Sequence, residues 1–186
     1  INTGSFENAG GFYAQNAIEV TTDSLVNSGE MSSTDSDILL NVNGTTANNS
    51  GGISASNITI NQKNQADKSA VFSNTGRIDT SNSLHVNSDS MHNSGKVTVG
   101  ATADLALTKE LRNTGDAAQI IAAQDILIHS NLADHALNVF NEAGWIQANN
   151  LYISDIDTFS NSANATLMAT NEIKLENLNN IFNDDS

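Results

Sequence analysis

The sequence contains no cysteine and no proline, few aromatics and very few cations. Without cysteine, neither a disulfide nor a thiolate metal site can form. Proline removes a backbone donor, so its absence from all 186 residues suits a chain whose N–H groups are engaged in one continuous ladder. Only 7 Lys and Arg stand against 21 Asp and Glu, a net charge of −14. That balance argues against phosphate neutralisation and so against a nucleic-acid partner. It equally argues against electrostatic docking on anionic lipid, and it suits a solvated, aggregation-resistant surface. No apolar run reaches the roughly 18 residues of a membrane-spanning helix. No charged segment followed by an apolar one opens the chain, which is read as an internal piece of a longer protein.

What is abundant is asparagine, with 28 residues, and it recurs in a pattern. The unit is apolar-x-Asn-x-Gly-x-apolar-x-small, then a short gap, then a polar residue followed by apolar-x-apolar. The first unit reads Phe6, Asn8, Gly10, Phe12, Ala14, Ile18 and Val20, and the third reads Ala47, Asn49, Gly51, Ile53, Ala55, Ile58 and Ile60. The sixth is read as Leu111, Asn113, Gly115, Ile121, Ala123, Ile126 and Ile128. The seventh is read as Phe140, Glu142, Gly144, Ile146, Ala148, Leu151 and Ile153, and the eighth as Phe159, Asn161, Ala163, Ala165, Leu167, Ile173 and Leu175. With Glu142 in the asparagine position, the unit repeats at 8, 27, 49, 74, 93, 113, 142 and 161. The base period is therefore 19–20 residues with three longer units, too short for helix-pair repeats.

Within each unit the apolar residues alternate with period 2, the signature of strands with one buried face. The expected fold is all-β: a single-stranded parallel β-helix of roughly 8–9 coils stacked about 4.8 Å apart, a rod of roughly 40 Å. Ile18, Leu40, Ile60, Val86, Leu107, Ile128, Ile153 and Leu175 are expected to superpose in one inner row. Asn-x-Gly should turn the chain, because both residues tolerate positive φ, and the asparagine amides should stack in a ladder. No coil buries its own apolar face, so stability comes from neighbours. Residues 1–4 look like the tail of an earlier turn and 178–183 like the start of another. The whole of 1–186 is accordingly read as one segment of a longer solenoid.

The pattern apolar-x-Asn-x-Gly-x-Ile-x-Ala followed by Leu-x-Ile resembles the haemagglutinin repeat of two-partner-secretion exoproteins: filamentous haemagglutinins, large haemolysins and the stick-like effectors of contact-dependent growth inhibition. The resemblance runs from residue 6 to about 183, with Glu142 and Ala163 as departures from the Asn and Gly positions. It implies a right-handed coil, export through an outer-membrane transporter of the two-partner-secretion type and display at the bacterial cell surface. It further implies a stalk or filament that contacts a receptor protein or glycan on a target cell.

Candidate contact residues follow from length and facing. Two insertions, near 61–70 and 129–138, lengthen coils; the first holds Lys63 and Lys68. Trp145, Tyr152 and Tyr13 alternate with inward residues and should point outward, where aromatics serve binding. Catalytic signals are poor. Asp35 with Asp37, and Asp155 with Asp157, could share a strand face as paired carboxylates, but they lie coils apart with no basic partner aligned. His85, His92, His129 and His135 lack metal-site spacing. No catalytic, cofactor or metal residue is assigned. The expected function is a non-enzymatic stalk or receptor-contacting segment. A polysaccharide-active β-helix enzyme and a self-associating matrix protein are the alternatives.

Overall fold

The computed structural model describes residues 1–62, 69–132 and 137–184. It is all-β, with 80% of the described residues in strands, and its stacked coils form a β-solenoid of about 8 turns. Every ladder between named strands of the described residues is parallel. Each turn contributes to three faces. The asparagine face carries the apolar-x-Asn segments, the post-glycine face the short segments that follow the glycine, and the aliphatic face the apolar-x-apolar segments. Long strands such as Arg77–Asn93 and Trp145–Ser162 bend through a corner and serve two faces.

Register turns the sequence period into rows. On the aliphatic face Val20, Leu40, Ile60, Val86, Leu105, Ile128, Ile153 and Leu175 superpose. Leu40, Ile60 and Val86 thus line up as expected, but Val20 replaces Ile18 and Leu105 replaces Leu107. Ile18 and Leu107 are also buried, two residues away in neighbouring rows, because three successive inward positions exist on this face rather than two. On the asparagine face Leu25, Ala47, Phe72 and Met91 superpose. Ala47, the smallest of these, lies under Phe72, the largest, so small and large side chains alternate along the row.

The amide ladder runs the length of the rod. The Nδ2 of each asparagine donates to the Oδ1 of the next through Asn8, Asn27, Asn49, Asn74, Asn93, Asn113, Asn141, Asn161 and Asn183, at 2.7–3.0 Å. The second N–H of these amides reaches a backbone carbonyl, for example that of Gly52 from Asn27 and that of Trp145 from Asn113. Asn27, Asn74, Asn113 and Asn141 are fully buried, yet each is satisfied as donor and acceptor, which is what makes buried amides tolerable.

This row overturns the frame of the seventh coil. Asn141, not Glu142, occupies the ladder, and Val139, not Phe140, is the inward residue before it. A carboxylate has no donor to pass along the ladder, so the chain shifts by one residue and absorbs the difference at Ala143, at φ 56. In the sixth coil Ile120 and Ala122, not Ile121 and Ala123, face inward. There Gly115, at φ 101, opens a wider turn closed by the Ala118 N–H on the Gly115 carbonyl at 2.9 Å. In the eighth coil Ala163 and Asn164 are both left-handed. The inner positions therefore pass from Ala165 to Leu167 and Ala169, which pair with Ile146 and Ala148.

The expected role of glycine is also corrected. Gly29, Gly51, Gly76 and Gly95 do not have positive φ; among the described glycines only Gly115 does. They are glycine because of the coil below. A Cβ on Gly51 would run into the backbone carbonyl of Gly29, one on Gly76 into that of Gly51, and one on Gly95 into that of Gly76. The row marks a close approach of backbone to backbone.

Candidate functional site

The residues that flank both insertions lie at the same corner, between the aliphatic and asparagine faces. One follows Gln62 and precedes Val71; the other follows Ser130 and precedes Leu137. Lys63 and Lys68 fall within 63–68, and 133–136 interrupt the second insertion; both stretches lie outside the described residues. The coils between them form a polar cleft of about 510 Å³, lined by Asn61, Gln62, Asn87, Ser88, Asp89, Thr108 and Asn131. Asp89, 4% exposed, anchors its floor. Its carboxylate accepts from the Ala70 N–H at 3.0 Å and the Thr108 hydroxyl at 2.9 Å, with the Lys109 ammonium at 3.7 Å. Two hydrogen bonds and a nearby ammonium hold this carboxyl group, so it works as a fastener between coils. Sequence reading missed Asp89, since nothing in Ser-Asp-Ser marks it as buried.

The aromatic residues face outward as expected, but on different walls. Tyr13 is 70% and Trp145 40% exposed on the post-glycine face. Trp145 donates its indole N–H to Gln147 Oε1 at 2.9 Å. Tyr152 lies on the aliphatic face between Leu127 and Lys174, its hydroxyl 3.4 Å from Glu172. Partial loss of water, then the Glu172 and Asp125 carboxylates, raise its phenol above the ordinary value. Lys174, two residues from Glu176 and paired with it at 2.9 Å, is raised by that hydrogen bond and charge. The structure therefore does not bring Trp145 and Tyr152 into one site.

Charged side chains elsewhere tie coils together. Asp104 sits between His85, at 3.0 Å, and His129, at 2.9 Å, across three successive coils. Glu110 accepts from His92 and Arg112, both at 2.8 Å, and Arg112 also stacks over Phe140, 4.7 Å from its centroid. Burial pushes the Glu110 carboxyl up, but the Arg112 and His92 hydrogen bonds outweigh it and hold the group below its ordinary 4.5. A depressed carboxyl contributes stability that is complete above about pH 4.5 and disappears as pH falls through the folded value. Glu110→Gln is therefore expected to show a smaller fall in Tm between about pH 5.5 and pH 3 than the parent chain. Equal falls would show that the pairing contributes nothing.

Asp35 lies in a bend and Asp37 just before the strand that starts at Ile38, so neither is on a strand, and Asp37 accepts from Asn57 at 2.8 Å. Asp155 is left-handed, at φ 58, and accepts from Asn177, while Asp157 accepts from Asn179, both at 2.9 Å. Neither pair presents two free carboxylates on one face. His135 lies outside the described residues. Among those described, no group of three or more His, Asp or Glu could hold a metal ion, and no helix is long and apolar enough to cross a membrane.

No family model, curated protein or solved structure matches this chain.

Proposed function

We propose that this chain is a non-enzymatic rod segment of a large secreted bacterial surface exoprotein, a filamentous adhesin or an effector of contact-dependent growth inhibition. On this reading it leaves the cell through an outer-membrane transporter of the two-partner-secretion type and meets a receptor protein or glycan on a target cell. One observation carries the reading: the uninterrupted ladder of amides and aliphatic rows. It makes a stiff, coil-by-coil spacer whose walls are free for display. The two insertions, whose flanking residues share one corner, are extra length on a regular scaffold, the kind of position that commonly carries contact. The repeat pattern from residue 6 to 183 supports the exoprotein class, and the carboxylates engaged in fastening coils support a non-catalytic role.

The test is cell binding. Fluorescently labelled chain should bind saturably to a panel of bacterial and host cells, and unlabelled chain should compete. Release of reducing ends from acidic polysaccharides by the chain, without saturable cell binding, would replace this reading with that of a polysaccharide-active β-helix enzyme.

A further inference from the structure

We propose that the second half of the post-glycine face binds a linear glycan in which acidic and neutral sugars alternate, with Trp145 stacking on a neutral ring and Lys96 reading a carboxylate. The proposal rests on the reading of this rod as a contact surface and names the wall and the ligand. Along this face Lys96, Gln119 and Trp145 occupy one outward row on three successive coils. The adjacent outward row holds Thr98, Ile121 and Gln147.

Three features set the strip apart. First, in a chain of net charge −14, the face carries no carboxylate from Lys96–Val99 through Gln119–Ala122 to 145–148 and 166–169. The earlier segments of the same face do carry acid, at Glu30 and Asp79, and both are paired with Arg77. Second, Lys96 is exposed and, among the described residues, its ammonium has no ion-pair partner, whereas Arg77, Lys109, Arg112 and Lys174 all do. Third, the exposed indole of Trp145 is fixed by its hydrogen bond to Gln147 Oε1. That bond leaves the Gln147 amide N–H₂ beside the ring as a donor. A fixed aromatic plane bordered by amides offers a flat apolar face to sugar C–H groups and polar atoms to their hydroxyls.

Spacing and charge choose among ligands. Lys96 and Trp145 are two coils apart, roughly 10 Å at about 4.8 Å per coil, and the long Lys96 side chain spans part of that distance, so its ammonium can meet the acidic sugar next to the neutral ring stacked on Trp145. A heavily sulfated polymer does not fit, because on this face the described residues offer one unpaired cation, Lys96, which cannot offset the repulsion of a chain of net charge −14. A protein partner does not fit either. The apolar surface here is one indole with half-buried Ile121 and Met168, too little for the apolar centre of a specific protein interface.

Trp145 is the only tryptophan, so its emission reports on the strip alone. A hyaluronan hexasaccharide, alternating in glucuronate and N-acetylglucosamine, should shift that emission saturably. Neutral chitohexaose should bind about tenfold more weakly, the worth of one charge-assisted hydrogen bond. Lys96→Gln should erase the difference, and Trp145→Ala should abolish binding by calorimetry, with unchanged circular dichroism. No emission change with any sugar, tightest binding to a heparin hexasaccharide, or an acidic preference that survives Lys96→Gln would each overturn the assignment. If the sugars fail while labelled chain still binds cells, only the glycan assignment falls. If sugar binds but no cell does, the contact reading falls instead.

Discussion

Replacing Ile126 with aspartate is expected to lower stability by on the order of 5 kcal/mol, among the largest losses a single substitution causes. Ile126 is fully buried and lies between Ala103 below and Leu151 above. Both neighbours are aliphatic and neither can donate a hydrogen bond to the new carboxylate. The solenoid cannot confine the damage to one side chain. Each coil is stabilised by its two neighbours, so opening the sixth coil removes a face from the fifth and the seventh together. Hydrogen exchange should show protection lost across Ala103, Leu105, Ile128, Leu151 and Ile153 as a block, while Leu40 and Ile60 stay protected. The control is Thr59→Asp. Thr59 is on the same face but points outward and is only half buried, in register between Leu39 and His85. Its loss should stay within about 0.5 kcal/mol. Equal losses at the two positions would mean that the facing of this wall is wrong.

Gly51→Ala is expected to cost about 3 kcal/mol, the upper range for forcing extra volume into a packed site. The added Cβ meets the Gly29 carbonyl and the Ser28 carbonyl carbon of the coil below. Both are backbone atoms and cannot rotate away. To relieve the clash the coils must part, which lengthens the Gly51 N–H bond to the Asn27 carbonyl and the Gly52 N–H bond to the Gly29 carbonyl, now 3.1 and 2.9 Å. Gly10→Ala is the matched control, because nothing lies within 4 Å of a Cβ there. It should be neutral to within about 0.5 kcal/mol. Chemical denaturation of both variants separates close stacking from conformational freedom. Were glycine needed for its φ alone, the two substitutions would be alike.

This contrast shows where sequence reasoning reached its limit. The spacing of Asn-x-Gly is compatible with a left-handed turn and with close stacking. The deciding atom belongs to a residue a full coil away, which local pattern does not reveal. Period-2 alternation placed Leu40, Ile60 and Val86 correctly because the alternation is unbroken around each of them, and most of the extra residues of the longer coils come after the aliphatic pair. It slipped by one at Asn141 and Ile120, where an extra residue turns outward and an acidic or apolar neighbour mimics the expected type. Glu142 imitates asparagine in size, but only a group that both donates and accepts can continue the ladder. Trp145 was legible as an outward residue. Lys96 was not, since 49 positions separate the two in sequence and only coil register makes them neighbours in one row. The insertions were visible as extra length; the shared corner of their flanking residues, with Asp89 between them, appeared only when the coils were stacked.

The hydrogen bonds that join one coil to the next, in backbone and amide ladder alike, run along the axis of the rod rather than across it. Tension applied to the two tips therefore loads these bonds in sequence, not in parallel, and the weakest junction parts first while the others keep their shape. Because each coil is held by its two neighbours, extension is expected to proceed in short blocks of adjoining coils.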